Sequence, residues 1–171
     1  MNQECFEVLR NHNYGDVMVE TEYWFILLAP DQKNIGTCVI ALKRHEGDLG
    51  NLNDKEWNEF SKIVKSLQSA LKKTFNATMF NWGCLMNSSY LKEHPDPHVH
   101  WHFIPRYKNK VEFEAVQNQG FVAPKSKISR RLTFKDPCFG FSTMKSKEGV
   151  REIPENVRMK IIKEIKRNLE I

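Results

Sequence analysis

The segment His98-Val99-His100-Trp101-His102-Phe103-Ile104 holds three of the chain's six histidines at strictly alternating positions. Successive side chains of a β-strand point to opposite faces. As a strand, the segment puts His98, His100 and His102 on one face and Val99, Trp101 and Phe103 on the other, the second set turned toward a core. Three imidazoles side by side partly desolvate one another, which favours neutral rings. A neutral imidazole can be a nucleophile, a proton shuttle or a metal ligand. A strand gains nothing structural from such a pattern. Two chemistries therefore stand open on the residues alone: phosphoryl chemistry at a histidine, and a zinc site with three histidine ligands.

Upstream, Tyr23-Trp24-Phe25-Ile26-Leu27-Leu28-Ala29 reads as a buried strand stopped by Pro30-Asp31. Asn34-Ile35-Gly36 reads as a hairpin turn, with Thr37 to Leu42 as the return strand. Asn53 is a good helix N-cap and Glu56 stands three residues on, in capping-box position. Trp57, Phe60, Val64, Leu67 and Leu71 then recur at helical spacing, which predicts a helix to about Phe75 with that seam facing the core. Ala77 to Leu85 reads as a further strand, and a polar loop, Asn87 to Pro97, leads into the histidine strand. Residues 1–19 are mixed and yield no element. Downstream, Lys125, Lys127, Arg130, Arg131 and Lys135 form a basic stretch, and a helix beginning at Pro154 presents Val157, Ile161, Ile165 and Leu169 as its apolar seam. The order β-β-α-β-β predicts an α+β fold. It consists of an antiparallel sheet of about five strands with a long helix packed on it, followed by an extension ending in a helix.

A chain of 171 residues fits one domain, or one domain with a tail, and can bury a core without disulfides or structural metal. The formal net charge of +5 suits anionic ligands such as nucleotides, and nucleic acid as well, although lysines scattered over solvated helices give the same total. Cys5, Cys38, Cys84 and Cys138 form no CxxC pair, so reduced thiols are expected. The N-terminus lacks a basic segment followed by an apolar run, and the longest apolar stretch, Tyr23 to Pro30, is too short to span a bilayer. A cytoplasmic protein is expected.

The run His98-Val99-His100-Trp101-His102-Phe103-Ile104, followed by Pro105-Arg106-Tyr107, resembles the His-x-His-x-His-x-x signature of the histidine-triad (HIT) superfamily, in which x is apolar. Val39 to His45, then Leu49, Leu52 and the helix from Asp54, resemble the strand, loop and helix that precede the triad in that family. The resemblance covers residues 20–107 and implies a HIT-like nucleotide-binding domain over 1–107. The extension, 108–171, is expected to pack on the same domain or on a partner subunit.

The resemblance implies attack on the α-phosphorus of a nucleoside phosphate by the middle histidine, His100, through a nucleotidyl-histidine intermediate. It implies that backbone near His98 orients the His100 ring, that His98 mainly orients, and that His102 donates to the phosphate. It assigns Asn87, eleven residues before His98, to the phosphates through its amide NH₂. It also implies a homodimer, and no required cofactor beyond a divalent cation that substrate phosphates could carry.

Three departures bear on substrate and rate. The family's Gly-Gln-(Ser/Thr)-Val stretch, whose hydroxyl assists the leaving group, is replaced by His94-Pro95-Asp96-Pro97, which leaves His94 as the candidate proton donor. Thr37 stands where the family usually has histidine. The residue that holds the ribose falls near Ala29, with Asp31 the candidate if the turn is shifted. Some relatives carry a structural zinc on an N-terminal CxxC. Here Cys5 is followed at the second position by Val8, so no structural zinc is expected. Three functions fit these residues: a hydrolase or transferase of dinucleoside polyphosphates, phosphoramidates or adenylylated adducts; a nucleotide-binding protein with little turnover; and a nucleic-acid 5′-end processing protein, supported by the basic stretch.

Overall fold

The computed structural model describes residues 14–32, 34–86, 89–91, 93–108 and 153–171. Among them run β1 (Asp16–Glu20), β2 (Trp24–Leu28), β3 (Cys38–Leu42), α1 (Asp54–Phe75), β4 (Met79–Cys84), β5 (His100–Arg106) and α2 (Glu155–Asn168). The five strands form one antiparallel sheet in the order β1-β2-β3-β5-β4. The basic stretch at 125–135 and Cys5 lie outside the described residues.

The continuous apolar runs of β2 and β3 are buried at every position, because both faces of the sheet are covered there. Their turn is held from inside by Gln32. Its amide nitrogen donates to the carbonyls of Ala29 (2.7 Å) and Thr37 (2.9 Å), and its amide oxygen accepts from the Gly36 N–H (2.8 Å). Gly36 has φ +81°, and a Cβ there would stand 2.7 Å from a Leu71 methyl, so glycine lets the hairpin tuck under α1.

Helix α1 begins with the full capping box: Asn53 accepts from the Lys55 and Glu56 N–H groups, and Glu56 accepts from the Asn53 N–H. It ends at Asn76 in the left-handed conformation. Its buried face departs from the expected seam. Phe60, Ile63, Leu67, Ala70, Leu71 and Phe75 are buried, Val64 only partly, and Trp57 is exposed. Glu56 is buried too, because Arg44 grips its carboxylate through Nε (2.6 Å) and Nη2 (3.1 Å). That bidentate contact holds the carboxyl below its ordinary range.

Strand β5 begins at His100, two residues later than expected. His98 and Val99 are tied instead by backbone bonds from Leu42 N–H to the Val99 carbonyl (3.1 Å) and from Val99 N–H to the Glu46 carbonyl (2.7 Å). Helix α2 starts at Glu155 with Pro154 as its cap, and Val157, Ile161, Ile162 and Ile165 enter the core shared with α1, while Leu169 packs at its edge. The side chains of the sheet thus divide. One face carries Trp24, Ile26, Leu28, Ile40, Leu42 and Phe103 beneath the helices. The other carries Phe25, Leu27, Ala29, Val39, Ala41 and Tyr14. No helix among the described residues is long and apolar enough to cross a membrane.

Candidate active site

Cross-strand partners share a face of a sheet. In the β3–β5 register Ala41 faces His100 and Val39 faces His102, while Ile40 faces Trp101 and Cys38 faces Phe103. The histidines therefore sit on the face away from the helices. On the other side of β5, His102 is paired with Gly83, where an added Cβ would stand 3.7 Å from a Leu85 methyl, an ordinary van der Waals contact.

Backbone carbonyls set the orientation of two rings. The Nε2 of His98 is 2.9 Å from the Leu42 carbonyl, and the Nδ1 of His100 is 2.8 Å from the carbonyl of His98. A carbonyl only accepts, so each of these nitrogens carries the proton. In a neutral His100 ring, Nε2 is left with the lone pair. His102 stands edge-on to His100, with ring centroids 5.0 Å apart. Burial, and then the adjacent His100, pull its pKa down to about 4, so it is neutral at pH 7. Its Nδ1 is buried and meets no hydrogen-bond partner among the described residues, so contacts within them do not fix its tautomer.

Two residues that the sequence did not single out complete the cluster. Tyr14 is buried, with its hydroxyl 3.2 Å from the Nδ1 of His100 and its ring centroid 4.6 Å from that imidazole. His45 stacks on His98 at 5.6 Å and meets Asp96 through Nε2 at 3.0 Å, which ties the loop before the triad to the loop after β3. Tyr14 lies 86 residues from His100 and carries no local pattern, so only the fold reveals it.

The other candidates fare differently. His94 is exposed, and among the described residues no hydrogen bond, ion pair or ring contact joins it to the triad. Asp31 is half-buried where the chain leaves β2. Asn87 lies outside the described residues. Among the described residues no group of three or more His, Cys, Asp and Glu side chains is disposed to hold a metal ion. Two of the triad nitrogens are already committed to carbonyls.

The family model described as HIT domain matches residues 10–109, which contain the whole sheet, α1 and the three histidines. The chain belongs to the HIT family. This HIT protein is 29% identical over 105 residues to an uncharacterized HIT-like protein of Methanocaldococcus jannaschii, a match covering 60% of this chain and 79% of that one. Its fold is similar to that of a hypothetical histidine triad nucleotide-binding protein from Sulfolobus tokodaii (TM-score 0.61, 15% identity, 98% of this chain and 91% of that one). It is equally similar to a histidine triad protein from Sinorhizobium meliloti (TM-score 0.61, 17% identity, 94% and 93%). These likenesses bear out the α+β fold, and the family is generally one of nucleotide-binding proteins and hydrolases.

Proposed function

We propose that this HIT protein is a nucleotide hydrolase or nucleotidyl transferase that works through a nucleotidyl-histidine at His100. The observation that carries this reading is the 2.8 Å contact between His100 Nδ1 and the His98 carbonyl, which leaves the Nε2 lone pair as the nucleophile. Nε2 attacks the α-phosphorus, and the bond from phosphorus to the leaving group breaks with its electron pair going to that group. Water then attacks the same phosphorus, the N–P bond breaks back onto Nε2, and the water proton is released. His102, neutral at pH 7, offers one N–H to the phosphate oxygens. Substrates in keeping with this are dinucleoside polyphosphates, phosphoramidates and adenylylated adducts, any divalent cation entering with the substrate phosphates. A cytoplasmic location goes with this reading.

A second reading, nucleotide binding with little turnover, is favoured by the loop His94-Pro95-Asp96-Pro97, which has no hydroxyl and whose His94 side chain is exposed. Incubation with a panel of adenylyl and guanylyl compounds, followed by intact-mass analysis and product detection, separates the two. The first reading predicts a one-nucleotide mass gain together with turnover. Tight binding with neither supports the second.

The proposal includes a homodimer. Strand β4 is a sheet edge among the described residues, and beside it Met79, Trp82 and Trp57 are 51%, 48% and 37% exposed. An edge strand rimmed by large apolar groups is a surface that a second copy can cover. Sedimentation should show a dimer that Trp82→Glu weakens; a monomer at all concentrations would contradict it.

A further inference from the structure

Tyr14 touches His100, yet neither the triad motif nor the reaction above uses it, and the fold goes to some length to place it. The next residue, Gly15, has φ +114°, and a Cβ on it would fall 1.9 Å from the Leu28 carbonyl oxygen. Only glycine allows the chain to press against β2 there before entering β1. The Tyr14 ring then lies in the apolar layer of Phe25, Leu27, Ala29, Val39 and Ala41, tilted over His100, with its centroid 6.2 Å from that of His98.

The hydroxyl has one geometry open to it at His100. The Nδ1 proton points at the His98 carbonyl at 2.8 Å, so the phenol oxygen, at 3.2 Å from the same nitrogen, is a second acceptor for that proton. The reverse arrangement, with the phenol donating to Nδ1, would turn an Nδ1 lone pair toward the carbonyl oxygen and move the proton to Nε2. A protonated Nε2 cannot attack phosphorus. Burial raises the phenol well above its ordinary titration range, so it stays an uncharged hydroxyl.

We infer that Tyr14 is a positioning residue for His100: its ring fixes the plane of the imidazole and its oxygen shares the Nδ1 proton. The inference rests on the proposed nucleotidyl-histidine chemistry. When Nε2 bonds phosphorus, the ring becomes an imidazolium and Nδ1–H becomes a stronger donor. An acceptor already in place stabilises that charge without reorganisation. Because Tyr14 acts through His100, its loss should appear in the chemical step rather than in nucleotide affinity.

Tyr14→Phe keeps the ring in its apolar layer and removes only the oxygen, so the fold should persist. Its single-turnover rate of adduct formation should fall about 3–10-fold with KM unchanged, the signature of an interaction gained in the transition state. Tyr14→Ala should lose more, since the imidazole plane is no longer held. A readout without turnover is the imidazole NMR spectrum of the free protein, in which the Nδ1–H resonance of His100 should shift between wild type and Tyr14→Phe. If the wild type forms no adduct with any nucleotide, the proposed reaction fails while the resonance still decides the placement of the phenol. An unshifted resonance overturns the inference. So does a Tyr14→Phe variant with wild-type rate, or one altered in KM alone.

Discussion

On one side of the triad segment, Val99 and Phe103 are fully buried beneath α1 and the neighbouring strands, and Trp101 packs at the margin of the same cluster. On the other side, the next residues along the chain are His98, His100 and His102, with the His98 and His100 rings held by carbonyls and His102 paired across the sheet with Gly83. The two sets alternate along one segment, most of it strand β5, so neither can be shifted without the other. Apolar residues set the register, and the register places the imidazoles. Stability should therefore respond to changes on the helix side and reactivity to changes on the histidine side, although the residues are immediate neighbours.

The largest effect should come from removing α2. A chain ending at residue 150 strips Val157, Ile161, Ile162 and Ile165 from the core. Each buried aliphatic contributes about 1.5–3 kcal/mol, against a net stability of about 5–15 kcal/mol for a domain. The truncated chain should lose its cooperative thermal transition, followed by circular dichroism. Melting near the full-length midpoint would mean that the helix side does not depend on α2.

A single-residue version is Phe103→Ala, the residue that follows His102 on the buried side. It should cost about 3–5 kcal/mol by denaturant titration, the usual range for emptying a buried aromatic site. A loss under about 1 kcal/mol would erase the distinction between the faces.

Much of this division was legible in the sequence, and the reasons differ by element. The β2 and β3 runs, the hairpin and the capping box are local patterns of apolar residues, glycine and polar caps, and each appears where its pattern stands. Strand β1 was not legible, because Asp16 to Glu20 is an edge strand that buries Met18 and leaves Val17 exposed. The expected helix seam matches at Phe60, Leu67 and Leu71 and departs from the buried face at Trp57 and, in part, Val64. Trp57 faces the margin, edge-on to Phe60 and Trp101, and Ile63 takes the place in the core. Buried Glu56 could not be foreseen, since its partner Arg44 is twelve residues away on another segment. In the site, alternation alone placed the three imidazoles together, whereas Tyr14 is joined to them only by the tertiary fold.

A smaller effect sharpens the comparison from the histidine side. His102 binds a proton near 6.5 in the unfolded chain but only near 4 in the folded one, owing first to burial and then to His100. Between those values the unfolded state holds more protons, so stability should be retained above pH 6.5 and decline as the pH falls toward 4. His102→Asn should flatten that slope in denaturation curves taken from pH 7 to 4.5. An unchanged slope would mean that His102 is not the group protonated on unfolding.

The most direct test of the central claim is to measure turnover and stability together in His100→Asn, on whichever nucleotide the wild type cleaves. Loss of the nucleophile should lower turnover by several orders of magnitude and abolish the protein-bound nucleotide. The unfolding free energy should change by only about 1 kcal/mol, the worth of the ring's hydrogen bond. Near wild-type turnover in this variant, or nucleotide still covalently attached to it, would contradict the account.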